Sequence, residues 1–149
     1  AAERGAPPVV LREARACLGR IDELLRQSAL DDAAFSRYVA LNEHFHSLLY
    51  EMSGSVLVTQ QLERAVNLPF ASPSAFVVVQ ANSPAARDML VIAQDQHTQV
   101  LDAIEAREGA RAESLMREHS RIARRNLREA LHGSADHSLP GVQLIRRRS

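Results

Sequence analysis

Four residues of this chain have the types and spacings of a metal site: Asn42, His46, His97 and His119. Asn42 and His46 stand in the stretch Leu41-Asn42-Glu43-His44-Phe45-His46-Ser47-Leu48-Leu49-Tyr50 at positions i and i+4. On a helix this puts a carbonyl oxygen and an imidazole one turn apart, aimed at the same spot on an otherwise apolar face. His97 and His119 fall on the apolar stripes of two later helical segments. Three helices would then each bring one imidazole to a common interior, which is the outline of a metal site inside a helical bundle. For any one imidazole on an apolar face the commoner reading is a core histidine with its own hydrogen-bond partner. The joint pattern favours the metal, because burying three imidazoles without an ion would impose the desolvation cost three times. His44 lies about 160° around the helix from Asn42, and His132 and His137 fall at a helix end and in the C-terminal tail, so none of these is expected to be a ligand.

The elements that must hold these residues are all helical by pattern. Pro7-Pro8 suits a helix start, where the missing N–H would have had no partner, and Leu11, Ala14, Leu18, Ile21 and Leu25 then repeat at threes and fours, predicting a helix over about residues 9 to 28. Asp31-Asp32 caps a second helix that carries Phe35, Tyr38, Asn42, Phe45, His46 and Leu49 on one face and stops at Ser53-Gly54-Ser55. A third, with Val56, Leu57, Leu62 and Val66, ends at Pro69. Between 69 and 83, Pro73 and Val77-Val78-Val79 interrupt any clean periodicity, and a loop with a short helix over about 74 to 81 is expected. Ser83-Pro84 restarts a helix to about residue 107 with Leu90, Ala93, His97, Val100, Leu101 and Ile104 on one side. Glu108-Gly109 is the expected break. The last helix, about 110 to 132, presents Leu115, Met116, His119, Ile122, Ala123 and Leu127, with Gly133 as its C′ residue. Residues 134–149 have no periodicity and finish in Arg146-Arg147-Arg148, which reads as a solvated, flexible tail. The expected architecture is an all-α antiparallel bundle of about six helices in one domain, residues 1–133.

Composition narrows the function classes. A chain of 149 residues can bury a core without disulfides, and 46% hydrophobic content with few Gly, few Pro and no Trp suits helices. Positive charge comes from Arg alone, since Lys is absent, and it balances Asp plus Glu to a formal net charge of zero. That lacks the basic excess of a nucleic-acid-binding domain. The single Cys17 has no internal disulfide partner, and no apolar run reaches the roughly 18 residues of a membrane span. A cytoplasmic location is expected. The start at Ala1 carries no signal-peptide layout, and a fragment of a longer protein is expected.

These residues also resemble a known family. Asn42-Glu43-His44-Phe45-His46 with Leu48-Leu49 and Ser53-Gly54, then Gln96-His97 with Val100-Leu101-Asp102-Ala103-Ile104, then Ala112 and Arg117-Glu118-His119, is similar in order and spacing to the C-terminal effector-binding (FCD-type) domain of the FadR subgroup of GntR transcriptional regulators. The resemblance covers about residues 9 to 132. It implies an all-helical bundle that dimerises and binds a small molecule, often a carboxylate, and many members hold a divalent metal through an Asp or Asn and three His. Carried over, the ligands are Asn42, His46, His97 and His119. There are departures: Asn42 stands where Asp is usual, Ser55 replaces an Asn, and Gly109-Ala110 replaces a Gly-Asp pair. The family's opening helix, with its V-x-x-x-R-x-x-L-E pattern, and the DNA-binding winged helix-turn-helix are not found in this sequence, so a piece of the effector domain truncated at its N-terminus is expected.

Three functions of different classes are open. The first is the metal-containing effector-sensing and dimerisation domain of a transcriptional repressor. Zinc is the first choice, with nickel and others allowed by imidazole ligands. With Asn42 in place of Asp every protein ligand is neutral, so the ion's uncancelled charge favours a small carboxylate effector. Tyr38, one turn before Asn42, and Gln94, one turn before His97, are the polar side chains best placed to touch the rest of it. The second is a metal-dependent helical-bundle hydrolase, weakened because Glu43 and Asp95 point away from the ligand direction and leave no general base. The third is a purely structural dimerisation domain. DNA contact is expected only through the absent winged helix-turn-helix, and no membrane partner is expected.

Overall fold

The computed structural model describes residues 1–27, 30–66 and 86–133. Within them are five helices and no strand: α1 Pro8–Leu25, α2 Asp32–Glu51, α3 Val56–Val66, α4 Ala86–Glu105 and α5 Gly109–Gly133. The all-helical bundle read from the sequence is therefore the observed class. The expected short helix over about 74 to 81, the Ser83-Pro84 cap and the tail from 134 lie outside the described residues.

Each start has a local cause. Pro8 opens α1 without needing a donor. Asp31 caps α2, its carboxylate accepting from the backbone N–H of Ala34 at 2.6 Å, with Asp32 favourably placed in the positive first turn. Gly54, at φ +62°, makes the turn into α3, a backbone region that L side chains rarely adopt.

The break between α4 and α5 differs from expectation. The break read at Glu108-Gly109 lies slightly earlier: Gly109 is already the first residue of α5, and the left-handed residue is Arg107 at φ +61°. Arg107 N–H donates to Ile104 O at 3.1 Å and Glu108 N–H to Ala103 O at 2.8 Å, the paired closing bonds of a Schellman motif with Arg rather than Gly at C′. Gly109 serves a packing need instead. A Cβ added there would come within 3.2 Å of the Glu3 side chain.

The core is layered along α1. That helix packs against both α2 and α4, α4 packs against α5, and α3 leans on the end of α2. Ala14, Cys17, Leu18, Ile21 and Leu25 from α1 meet Ala34, Tyr38, Phe45 and Leu48 from α2 and Leu90, Val100, Leu101 and Ile104 from α4. The α1 stripe is broader than expected, since Val10, Cys17 and Leu24 are buried while Leu11 is only partly so. On α3 the first apolar residues are outside: Val56, Leu57 and Val58 are exposed. On α5 the apolar positions Leu115, Met116, Ile122 and Ala123 are half-buried, so this helix sits at the margin of the core. Arg15 ties α1 to α4 through Asp102 at 2.9 Å and Glu105 at 2.5 Å. In this half-exposed setting the contact adds little stability.

Candidate metal centre

The register of α2, α4 and α5 brings three imidazoles together. His46, His97 and His119 offer ligand atoms that all lie within 4.8 Å of one another. The ring centroids are 5.1 Å apart for His46 and His97, 5.8 Å for His46 and His119, and 4.6 Å for His97 and His119. His97 Nε2 faces His119 Nε2 at 3.3 Å. His97 is fully buried and His46 nearly so, while His119 is half-buried. Phe45 walls the site, its ring 4.9 Å from that of His97.

Burial keeps all three rings neutral. It pushes His46 down to about 3, with the neighbouring His119 adding to the effect, and holds His97 well below the ordinary value, with His46 and His119 contributing second. His119 is lowered by the same desolvation. Neutral imidazole is the form that binds metal. Proton competition at the folded site therefore begins below the value of about 6.5 for free histidine, which moves any acid release of a metal to lower pH than the free value suggests.

The donor set fits a divalent ion. Three nitrogen ligands suit zinc and its neighbours. His46 Nε2 is also buried with no hydrogen-bond partner. Such an atom costs about 1–3 kcal/mol when left unmade, and an ion bound to it would remove that cost. Among the described residues no carboxylate joins the cluster.

The other expected site residues divide. Asn42 is buried one turn before His46 on the same stripe of α2. Tyr38 is fully buried, and its hydroxyl has no hydrogen-bond partner among the described residues; burial also raises its pKa. Gln94 is buried but turned towards α1, where its amide donates to Leu18 O at 3.0 Å and Asp22 Oδ1 at 2.9 Å, leaving its Oε1 buried and unpaired. His44 is on the outside, its Nε2 3.0 Å from Glu13 Oε1, in agreement with its exclusion as a ligand. Glu43 and Asp95 are exposed.

Two features escaped the sequence. The first is Gln96, whose Oε1 lies 2.9 Å from His119 Nδ1 and so links α4 to α5. Its only signal was adjacency to His97, and no spacing rule reports a contact that depends on the register of two helices. The second is a cavity of about 560 Å³ whose lining includes the residues one turn along from each histidine: Leu49 and Tyr50 beyond His46, Val100 beyond His97, and Met116 before His119. It is the size of a small-molecule pocket.

A search of curated proteins finds no significant match. The family model of the FCD domain matches residues 1–121, a stretch that contains all three histidines, Asn42 and the whole of α1 to α4. FCD domains commonly hold a divalent metal. The chain belongs to the FCD-domain family, the C-terminal effector-binding domains of GntR-type regulators.

Proposed function

We propose that this chain is the effector-sensing and dimerisation domain of a bacterial GntR-type transcriptional regulator of the FadR subgroup. A divalent ion, zinc in the first instance, is held by His46, His97 and His119 with the side-chain oxygen of Asn42, and a small organic acid binds beside it through its carboxylate. The observation that carries this reading is the convergence of three neutral imidazoles from three helices, two of them buried and one half-buried. An ion with only neutral protein ligands keeps its full charge and so attracts an anion, and the adjacent cavity offers room for the body of a small ligand.

Hydrolysis is disfavoured by the same geometry. Glu43 and Asp95, the acids nearest in sequence to Asn42 and His97, are exposed, so neither can serve as a general base inside the cluster. A purely structural role leaves His46 Nε2 unexplained. In the intact regulator the domain operates as a homodimer and reaches DNA through a winged helix-turn-helix elsewhere in the protein. An effector would act by binding one dimer arrangement better than another, since equal affinity shifts nothing.

Elemental analysis of protein purified without an affinity tag tests the ion: a near-stoichiometric divalent metal supports the reading, and none overturns it. Calorimetry with a panel of small carboxylates, on metal-loaded and chelator-stripped protein, tests the effector. Tighter binding to the loaded form is expected. Equal binding to both forms would make the metal structural and place the effector elsewhere.

A further inference from the structure

His119 differs from His97 in that its outer nitrogen, Nδ1, has a partner, whereas His97 Nδ1 is buried without one among the described residues. Gln96 Oε1 lies 2.9 Å from His119 Nδ1, while His119 Nε2 faces His97 Nε2 at 3.3 Å. A neutral imidazole carries its proton on one nitrogen and a lone pair on the other, so what Gln96 does at Nδ1 decides what Nε2 offers to the cluster.

Two proton arrangements satisfy those distances, and they are not equal. With the Gln96 carbonyl accepting from His119 Nδ1–H, His119 Nε2 bears a lone pair and accepts from His97 Nε2–H. The one nitrogen left over, His97 Nδ1, is then a bare acceptor. With the Gln96 amide group reversed so that its NH2 donates, His119 Nε2 carries the proton, His97 Nε2 accepts it, and His97 Nδ1–H becomes a buried donor with no acceptor in reach. A buried unsatisfied N–H is the more costly of the two, since orphaned buried donors are the rarer defect in folded proteins. The first arrangement is therefore the stable one.

We infer that Gln96 is the positioning residue of the third ligand: its side-chain carbonyl holds His119 in the Nδ1–H tautomer and so presents the Nε2 lone pair to His46 and His97. The role rests on the metal-site reading only for its consequence. The tautomer itself is set by Gln96 whether or not an ion binds. Free histidine prefers the opposite tautomer, with the proton on Nε2, and in that form His119 would turn a donor towards any cation. Outer partners of this kind are worth about 10–100-fold in metal affinity where they have been removed. Gln96 spans from α4 to α5, so it also sets the ring orientation on the least deeply packed of the three helices that carry the histidines.

The test uses long-range proton–nitrogen spectra of the imidazoles together with zinc affinity measured by chelator competition, on the full chain as wild type, Gln96→Ala and Gln96→Glu. In metal-free wild type the His119 resonances should show protonated Nδ1 and bare Nε2; a protonated Nε2 overturns the proposal. Gln96→Ala should shift His119 towards the Nε2–H form and weaken zinc binding about 10–100-fold. Gln96→Glu keeps the acceptor and should restore the tautomer and the affinity. Alanine that binds zinc as tightly as wild type, or glutamate that fails to rescue a folded protein, would also overturn the inference. If wild type binds no zinc at all, the metal reading falls, and the spectra alone still decide the role of Gln96.

Discussion

At the scale of single residues, the site is defined by polar atoms whose needs are left open. Tyr38 is the plainest case, a phenol fully inside the protein with no partner for its hydroxyl. Removing that oxygen removes a desolvation penalty, so Tyr38→Phe should leave the ligand-free domain equally stable or stabilise it by up to about 1–2 kcal/mol. If the hydroxyl meets the effector, the same variant binds the acid more weakly, and denaturant unfolding beside calorimetry separates the two effects. The histidines set the pH response of metal-free protein. Burial lowers their folded values, to about 3 for His46 and well below the ordinary value for His97, so the unfolded chain takes up protons first. Stability is therefore full above the unfolded value of about 6.5 and declines as pH falls from there towards the folded values. Two such groups remove roughly 2–3 kcal/mol between about pH 7 and about pH 5.5. Chemical denaturation of chelator-stripped protein at those two pH values checks the sign, and a midpoint that holds or rises on acidification contradicts it.

At the scale of elements, caps and turns make independent predictions because they touch the site only through helix placement. Arg107 occupies a left-handed position that glycine adopts without strain, and its neighbours already close the Schellman motif. Arg107→Gly should raise stability by up to about 1 kcal/mol, read as a higher melting temperature with unchanged metal content. Its side chain does approach Gly5, within 3.3 Å of a Cβ built there, so some of that gain is offset by lost packing. Asp31→Ala works in the other direction. It deletes the side-chain acceptor at the start of α2 and should cost about 1 kcal/mol without moving Asn42 or His46, which lie about three and four turns further along. A large loss of metal in that variant would mean that α2 is not held by its packing on α1.

At the scale of the whole molecule, an ion that binds only the folded state stabilises it by mass action. At a hundredfold excess over its dissociation constant the gain is about 2.7 kcal/mol, or roughly 5–10 °C in melting temperature for a domain of this size. Chelation should reverse it, and His97→Ala should abolish the response to metal. The chain's formal net charge of zero sets a second expectation. Any affinity for DNA should be weak, salt-sensitive and indifferent to sequence, and specific retardation of a duplex at physiological salt would refute it.

The sequence by itself determined the helices and the faces on which the histidines fall, because both depend on local spacing. Periodicity at threes and fours, Asp31, Pro8 and Gly54 placed the described elements within a few residues, and the apolar stripes on which His46, His97 and His119 fall pointed to the three histidines that converge. The resemblance in those motifs led to the right family. What only the tertiary structure decided is everything that depends on how one helix is set against another. Gln94 lies on the expected face of α4 yet turns to α1, because the carbonyl of Leu18 and the carboxylate of Asp22 are within its reach. Gln96, one residue from His97, reaches α5 instead. The depth of burial that holds the imidazoles neutral is likewise a property of the assembled core, where low polarity penalises charge, and no window of sequence contains it.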